Sequence, residues 1–147
     1  MTPQRQQRII SVLAKRQNDL TVVLENVFDA HNVSAIMRSC DAVGIQEMFV
    51  VNTFAPPHKS WGYRSSGSAY KWVTVHQFDN IEACISSVRK KYDRIFTTHL
   101  TADAVSLYGL DLTLKTALVF GNEQKGISEE MVALSDGNFI IPQMGMI

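Results

Sequence analysis

The chain has 147 residues, 46% hydrophobic and 19% charged, with 14 bases balanced by 14 acids. That is the make-up of one globular domain with a real core, and no apolar run approaches the roughly 20 residues a membrane span needs. The neutral balance argues neither for nor against a polyanionic partner, but the charge is segregated: the first 72 residues carry eight bases against five acids, the rest six against nine. Residues 1–18 hold Arg5, Arg8, Lys15 and Arg16, and residues 52–72 hold Lys59, Arg64 and Lys71, neither stretch with any acid. The N-terminus has no apolar h-region of signal-peptide type, and Cys40 and Cys84 sit in apolar helical settings, which predicts a reducing cytoplasm.

Thr2-Pro3 reads as N-cap and first helical position, and Ile9, Val12 and Leu13 give a basic, amphipathic helix reaching about Gln17. Leu20–Leu24 is a short β-rich run. After a polar loop, Val33, Ile36, Cys40 and Val43 form the buried stripe of a helix over Val33–Val43, which Asn32 can cap and Gly44 ends, and a strand spans Ile45–Val51. Past residues 52–70 the grammar resumes. A strand covers Trp72–Phe78, and Asp79 caps a helix with the stripe Ile81, Cys84, Ile85 and Val88. Strands come next at Arg94–Thr98 and Thr116–Phe120, then a short helix capped by Ser128 and a last strand at Phe139–Ile141. These strand–helix–strand units predict an α/β fold with a mostly parallel sheet and helices on both faces.

In such sheets ligands bind beyond the carboxyl ends of the strands. Asn32 and Arg38 come after the first strand, Arg38 off the buried stripe; taken alone they read as a cap and a solvated charge. Thr98 and Leu100 come after the fourth strand. Gly121 and Gly126 flank a polar loop after the fifth, where glycine lets backbone approach an adenine or ribose. Neither a Walker A loop nor a G-x-G-x-x-G turn is present. Bases alternate with aromatics from Trp61 to Trp72, so Arg64 and Lys71, with Arg8 and Arg16 of the opening helix, are candidate phosphate contacts; Trp72 itself reads as core. The histidines His31, His58, His76 and His99 have no ligand spacing, so no metal is expected, and no Ser/His/Asp set points to a hydrolase.

His31-Asn32-Val-Ser-Ala-Ile-Met-Arg38, Gly121-Asn-Glu123-Gln-Lys-Gly126-Ile127 and Ile140-Ile141-Pro142-Gln-Met-Gly145 resemble, in order and spacing, the three motifs of the SpoU/TrmH (SPOUT) family of RNA ribose 2′-O-methyltransferases. The resemblance implies transfer of a methyl group from S-adenosylmethionine to a ribose 2′-OH of tRNA, with guanosine 18 of the D-loop the expected target. It implies a homodimer and a C-terminal trefoil knot, a departure from the general rarity of knots. Carried over, Arg38, Asn32 and Glu123 are catalytic, Asn32 orienting Arg38, and Thr98, Leu100, Gly121, Gly126 and Ile141 bind the cofactor. The expected division is a basic helix at 1–18 and a methyltransferase domain at 19–147. The family's third motif continues into a Ser-Leu-Asn-x-Ser stretch and a long helix, whereas this sequence stops at Ile147. The knot segment is therefore expected to be incomplete here and cofactor binding weak, and the alternative reading is a non-catalytic RNA-binding or dimerisation module of the same fold.

Overall fold

The computed structural model describes residues 1–54, 57–58 and 66–145. In chain order the elements are α1 (Pro3–Leu13), β1 (Leu20–Glu25), α2 (Ala30–Val43), β2 (Glu47–Val51), a 3-10 turn at Ala69–Lys71, β3 (Thr74–Phe78), α3 (Ile81–Arg89), β4 (Arg94–Thr98), β5 (Val105–Ser106), a second 3-10 turn at Leu107–Gly109, β6 (Thr116–Phe120), α4 (Glu129–Ala133) and β7 (Gly137–Ile140). The seven strands form one sheet in the order β3-β2-β1-β6-β4-β7-β5, and every pair in it is parallel.

Parallel strands covered on both faces need apolar side chains on both, and β1, β2 and β6 are buried nearly end to end. Alternate residues of each strand face opposite layers. Val23, Phe49, Val51, Ala117 and Val119 pack with Ile81, Cys84, Ile85 and Val88 of α3 and Met131 of α4. Val22, Leu24, Met48 and Val50 pack with Val33, Met37 and Cys40 of α2 on the other face. The α3 stripe is the expected one. On α2 the stripe is turned: Met37 and Ser34 are buried while Val43 is 54% exposed, because Met37 packs onto β1 and β2 beside Val33 and Cys40.

Three caps depart from expectation. Asp29, not Asn32, caps α2, accepting from the His31 N–H at 2.8 Å, which leaves Asn32 inside the helix. Asn80, not Asp79, caps α3. The strand expected from Trp72 starts at Thr74, since the 3-10 turn occupies the residues before it, and Trp72 is 44% exposed rather than core. Thr2 and Ser128 cap α1 and α4 as expected. Gly44 ends α2 at φ +88°, and a Cβ there would come within 2.5 Å of the Lys15 carbonyl oxygen, so the position needs glycine for conformation and for space.

No residue of α1 is buried. The segment between α1 and β1 is anchored: Gln17 N–H bonds the Gly44 carbonyl at 2.7 Å, and Arg16 reaches Asp41 at 2.7 Å and the Ile45 carbonyl at 3.4 Å. No helix among the described residues is long and apolar enough to cross a membrane.

Candidate active site at the carboxyl edge of the sheet

Strand order runs outward from β1 to β2 and β3, then resumes on the other side of β1, so the switch point lies between β1 and β6. Crevices at such points are where α/β sheets bind ligands. The loops after β1 and β6 meet there, and the ends of β4 and β7 lie next along the same edge.

The loop after β6 is held by its own chemistry. Asn122 and Gly126 exchange backbone hydrogen bonds at 3.1 and 2.8 Å, and the Asn122 Oδ1 accepts from the N–H groups of Gln124 and Lys125 at 2.8 and 3.0 Å. A Cβ on Gly121 would overlap the Gly126 carbonyl oxygen, so the closure requires glycine, while Gly126 at φ +70° faces open space. Three side-chain links tie this loop to β1 and α2. Asn122 Nδ2 donates to the Asn26 carbonyl at 2.9 Å, Ser128 donates through its backbone N–H and hydroxyl to the Glu25 carboxylate at 3.0 and 2.5 Å, and Asn32 Nδ2 donates to Glu123 Oε1 at 2.5 Å.

That third link joins two of the sequence motifs, 91 residues apart. Residues 19–147 match the SpoU rRNA Methylase family. The chain belongs to the SpoU methylase family. It is 41% identical over 147 residues to the tRNA (guanosine(18)-2′-O)-methyltransferase of Thermus thermophilus, covering 99% of this chain and 74% of that one. It is 38% identical to the enzyme of the same name from Escherichia coli K12, covering all of this chain and 63% of that one. The crystal structure of the A. aeolicus TrmH/SpoU tRNA modifying enzyme superposes with a TM-score of 0.85 at 34% identity, over 98% of this chain and 73% of that one.

On this SpoU fold the residues singled out from sequence fall into two groups. Thr98, Leu100, Gly121, Gly126 and Ile141 lie at the neighbouring carboxyl ends of β4, β6 and β7. Thr98 Oγ1 donates to the Val119 carbonyl at 3.1 Å, locking β4 to β6 at that edge, and Thr97 Oγ1 donates to Asn138 Oδ1 at 2.5 Å, locking β4 to β7. Leu100 and Ile141 expose apolar side chains, at 85% and 42%.

Arg38 lies exposed on α2 with its guanidino group beside Gly67, where a Cβ would sit 3.5 Å from Nε. Asn32 is six residues earlier, about 9 Å along the axis and a third of a turn around it. The partner that orients the Asn32 amide is thus Glu123 on the facing loop. Arg8 and Lys71 are exposed. Arg16 departs from its expected role on an RNA-binding surface: its side chain is only 6% exposed and ion-paired to Asp41, because the chain after α1 turns it inward. Arg64 lies outside the described residues, as do Lys59 and Trp61.

Sequence reasoning missed Glu25 and Asn26. Glu25 is 1% exposed, an acid at the end of an apolar strand, and its place in that apolar run was the available signal. Asn26 adopts φ +54° and its Oδ1 accepts from the Thr53 N–H at 2.8 Å, tying the ends of β1 and β2 together. Neither cysteine is built as a nucleophile: burial pushes Cys40 up to about 11 and Cys84 up to about 12.

Proposed function

We propose that this chain is the catalytic domain of an S-adenosylmethionine-dependent tRNA ribose 2′-O-methyltransferase whose target is guanosine 18 of the D-loop. The observation that carries the reading is the Asn32–Glu123 hydrogen bond at the β1/β6 switch point, with Arg38 on the same helix. We divide the chain into a basic helix at 1–18 and a methyltransferase domain at 19–147, acting as a homodimer in the cytoplasm.

The strand-end loops suit S-adenosylmethionine. Gly126 leaves open space where any other residue would place a side chain, the loop offers backbone polar groups for adenine and ribose, and Leu100 and Ile141 supply apolar surface at the neighbouring ends of β4 and β7. When bound, the cofactor supplies an electrophilic methyl on a sulfonium. Thr98, Leu100, Gly121, Gly126 and Ile141 hold it in this reading, and Glu123 fixes the loop against Asn32.

Arg38 positions the RNA. A guanidinium keeps its proton at neutral pH, so its contribution is a two-point clamp on the phosphate beside the target ribose, which orients the 2′-OH and offsets charge as the attack proceeds. Arg8 and Lys71 extend the phosphate-binding surface. The test is mass-spectrometric mapping of 2′-O-methylation on bulk tRNA incubated with the protein and labelled S-adenosylmethionine. One new methyl at guanosine 18 is expected, and methylation elsewhere or not at all refutes the reading.

A further inference from the structure

At the opposite edge of the sheet from the strand-end loops, a cavity of about 370 Å³ opens between α1 and the body of the domain. That is a size at the small end of ligand clefts, which run from roughly 300 to 1,000 Å³. Its apolar lining comes from Ile9, Val12 and Leu13 on α1 and from the ring of Trp72. Its charged lining is Arg8, Lys71 and the Arg16–Asp41 ion pair. An adjoining cleft shares Arg8, Arg16 and Asp41 and adds Lys15.

A merely structural seam between a helix and a sheet would close over Trp72, yet 44% of that residue is exposed. Among the described residues Asp41 is the one acid lining either cleft, and Arg16 already neutralises it, so the remaining charge is positive. Arg16 itself stays turned into the Asp41 pair, which leaves Arg8, Lys15 and Lys71 as the exposed bases of the two clefts. Gln46 donates from Nε2 to the Trp72 carbonyl at 3.0 Å, holding the backbone that carries the ring.

The cavity connects to Arg38, the residue proposed to position the RNA, rather than to the cofactor loops. Asp41 is one turn from Arg38 along α2, and Gly67 beside Arg38 leads through Ser68 and the Ala69–Lys71 turn to Trp72. An RNA strand with its target ribose at Arg38 therefore brings a neighbouring nucleotide within reach.

We propose that this cavity is a nucleotide subsite in which an unpaired base close to the target stacks on Trp72 while its flanking phosphates meet Arg8 and Lys71. An exposed indole inside a positively charged cleft is the pairing that single-stranded nucleic acid recognition uses. The proposal rests on the RNA reading above.

The experiment is titration of a tRNA transcript into the wild-type chain, Trp72→Ala, Trp72→Phe, Arg8→Ala and Lys71→Ala across a salt series, with sedimentation velocity and urea unfolding of each. Trp72→Ala should weaken tRNA binding about 5- to 150-fold with its log–log salt slope unchanged, since stacking is worth about 1–3 kcal/mol per base. Trp72→Phe should recover most of the loss, and each basic variant should lower the slope by about 0.7–0.9. Equal tRNA affinity of Trp72→Ala and wild type overturns the subsite and leaves the RNA reading standing, whereas a wild-type chain that binds no tRNA overturns both. A Trp72→Ala chain that changes its oligomeric state assigns the cavity to a contact between copies and overturns the subsite as well.

Discussion

Ser128 gives both its hydroxyl and its backbone N–H to the carboxylate of Glu25, a side chain with 1% exposure at the end of β1. The same serine hydroxyl accepts from the Met131 N–H to cap α4, so one residue fixes the far end of the 121–128 loop to both strand and helix. Glu25→Gln turns an amide N–H toward a donor. The expected cost is about 1.5–3 kcal/mol of unfolding free energy, the range for hydrogen bonds to charged groups, read by urea denaturation. Calorimetry should also find S-adenosylmethionine binding at least tenfold weaker, and unchanged binding would separate this carboxylate from the loop.

The Asn32–Glu123 bond sets up a reciprocal test. Asn32→Asp places a carboxylate against a carboxylate and should lower methyl transfer at least tenfold. Adding Glu123→Gln restores a donor and an acceptor, and the double variant should regain much of the turnover, a coupling that a double-mutant cycle measures.

Arg38 is exposed on α2, so Arg38→Ala should leave the urea midpoint within experimental scatter while methyl transfer falls to background. Arg38→Lys should fail as well, because an ammonium lacks the planar fork needed for two-point phosphate contact. Near-normal turnover of either variant with labelled cofactor would remove Arg38 from the reaction.

Arg16 and Arg8 should behave differently although both stand in the basic N-terminal segment. Arg16→Ala breaks the ion pair with Asp41 and its bond to the Ile45 carbonyl, and should destabilise the chain by about 1–2 kcal/mol, a figure kept low because a third of the Asp41 side chain meets solvent. Arg8→Ala should leave stability unchanged and reduce the salt dependence of tRNA binding. Matching urea curves for the two variants would contradict this division.

Glu47 carries the acid sensitivity. Burial pushes its carboxyl upward, but Lys91, His76 and Tyr92, bonded to it at 2.7–3.0 Å, outweigh that and hold it below the usual 4.5. A carboxyl lowered by folding contributes stability that is present above its unfolded value and is lost as pH falls through the lower folded one. Glu47→Gln should therefore be less stable at neutral pH and lose less on acidification below 4.5. Parallel pH–stability curves for variant and wild type would refute the assignment.

Much of the fold can be read from side-chain patterns because each layer depends on local periodicity. The α3 stripe Ile81, Cys84, Ile85 and Val88 is buried as its spacing predicts, and β4 and β6 span Arg94–Thr98 and Thr116–Phe120 as expected. Caps were harder: Asp29 and Asn32 both offer a capping oxygen, and only the observed start of α2 decides between them. The two-residue β5 carries too little pattern to be seen, and its pairing with β7 depends on a partner far along the chain.

By itself the sequence determined the α/β class, the residue types at the strand ends and the three motifs, since these come from short-range spacing and from resemblance to a family. The tertiary structure decided which residues meet. That Asn32 finds Glu123, that Glu25 grips Ser128 and that Arg16 turns inward to Asp41 all depend on contacts between segments 25 to 103 residues apart. Only the order of strands in the sheet brings those segments together, and no local periodicity encodes it.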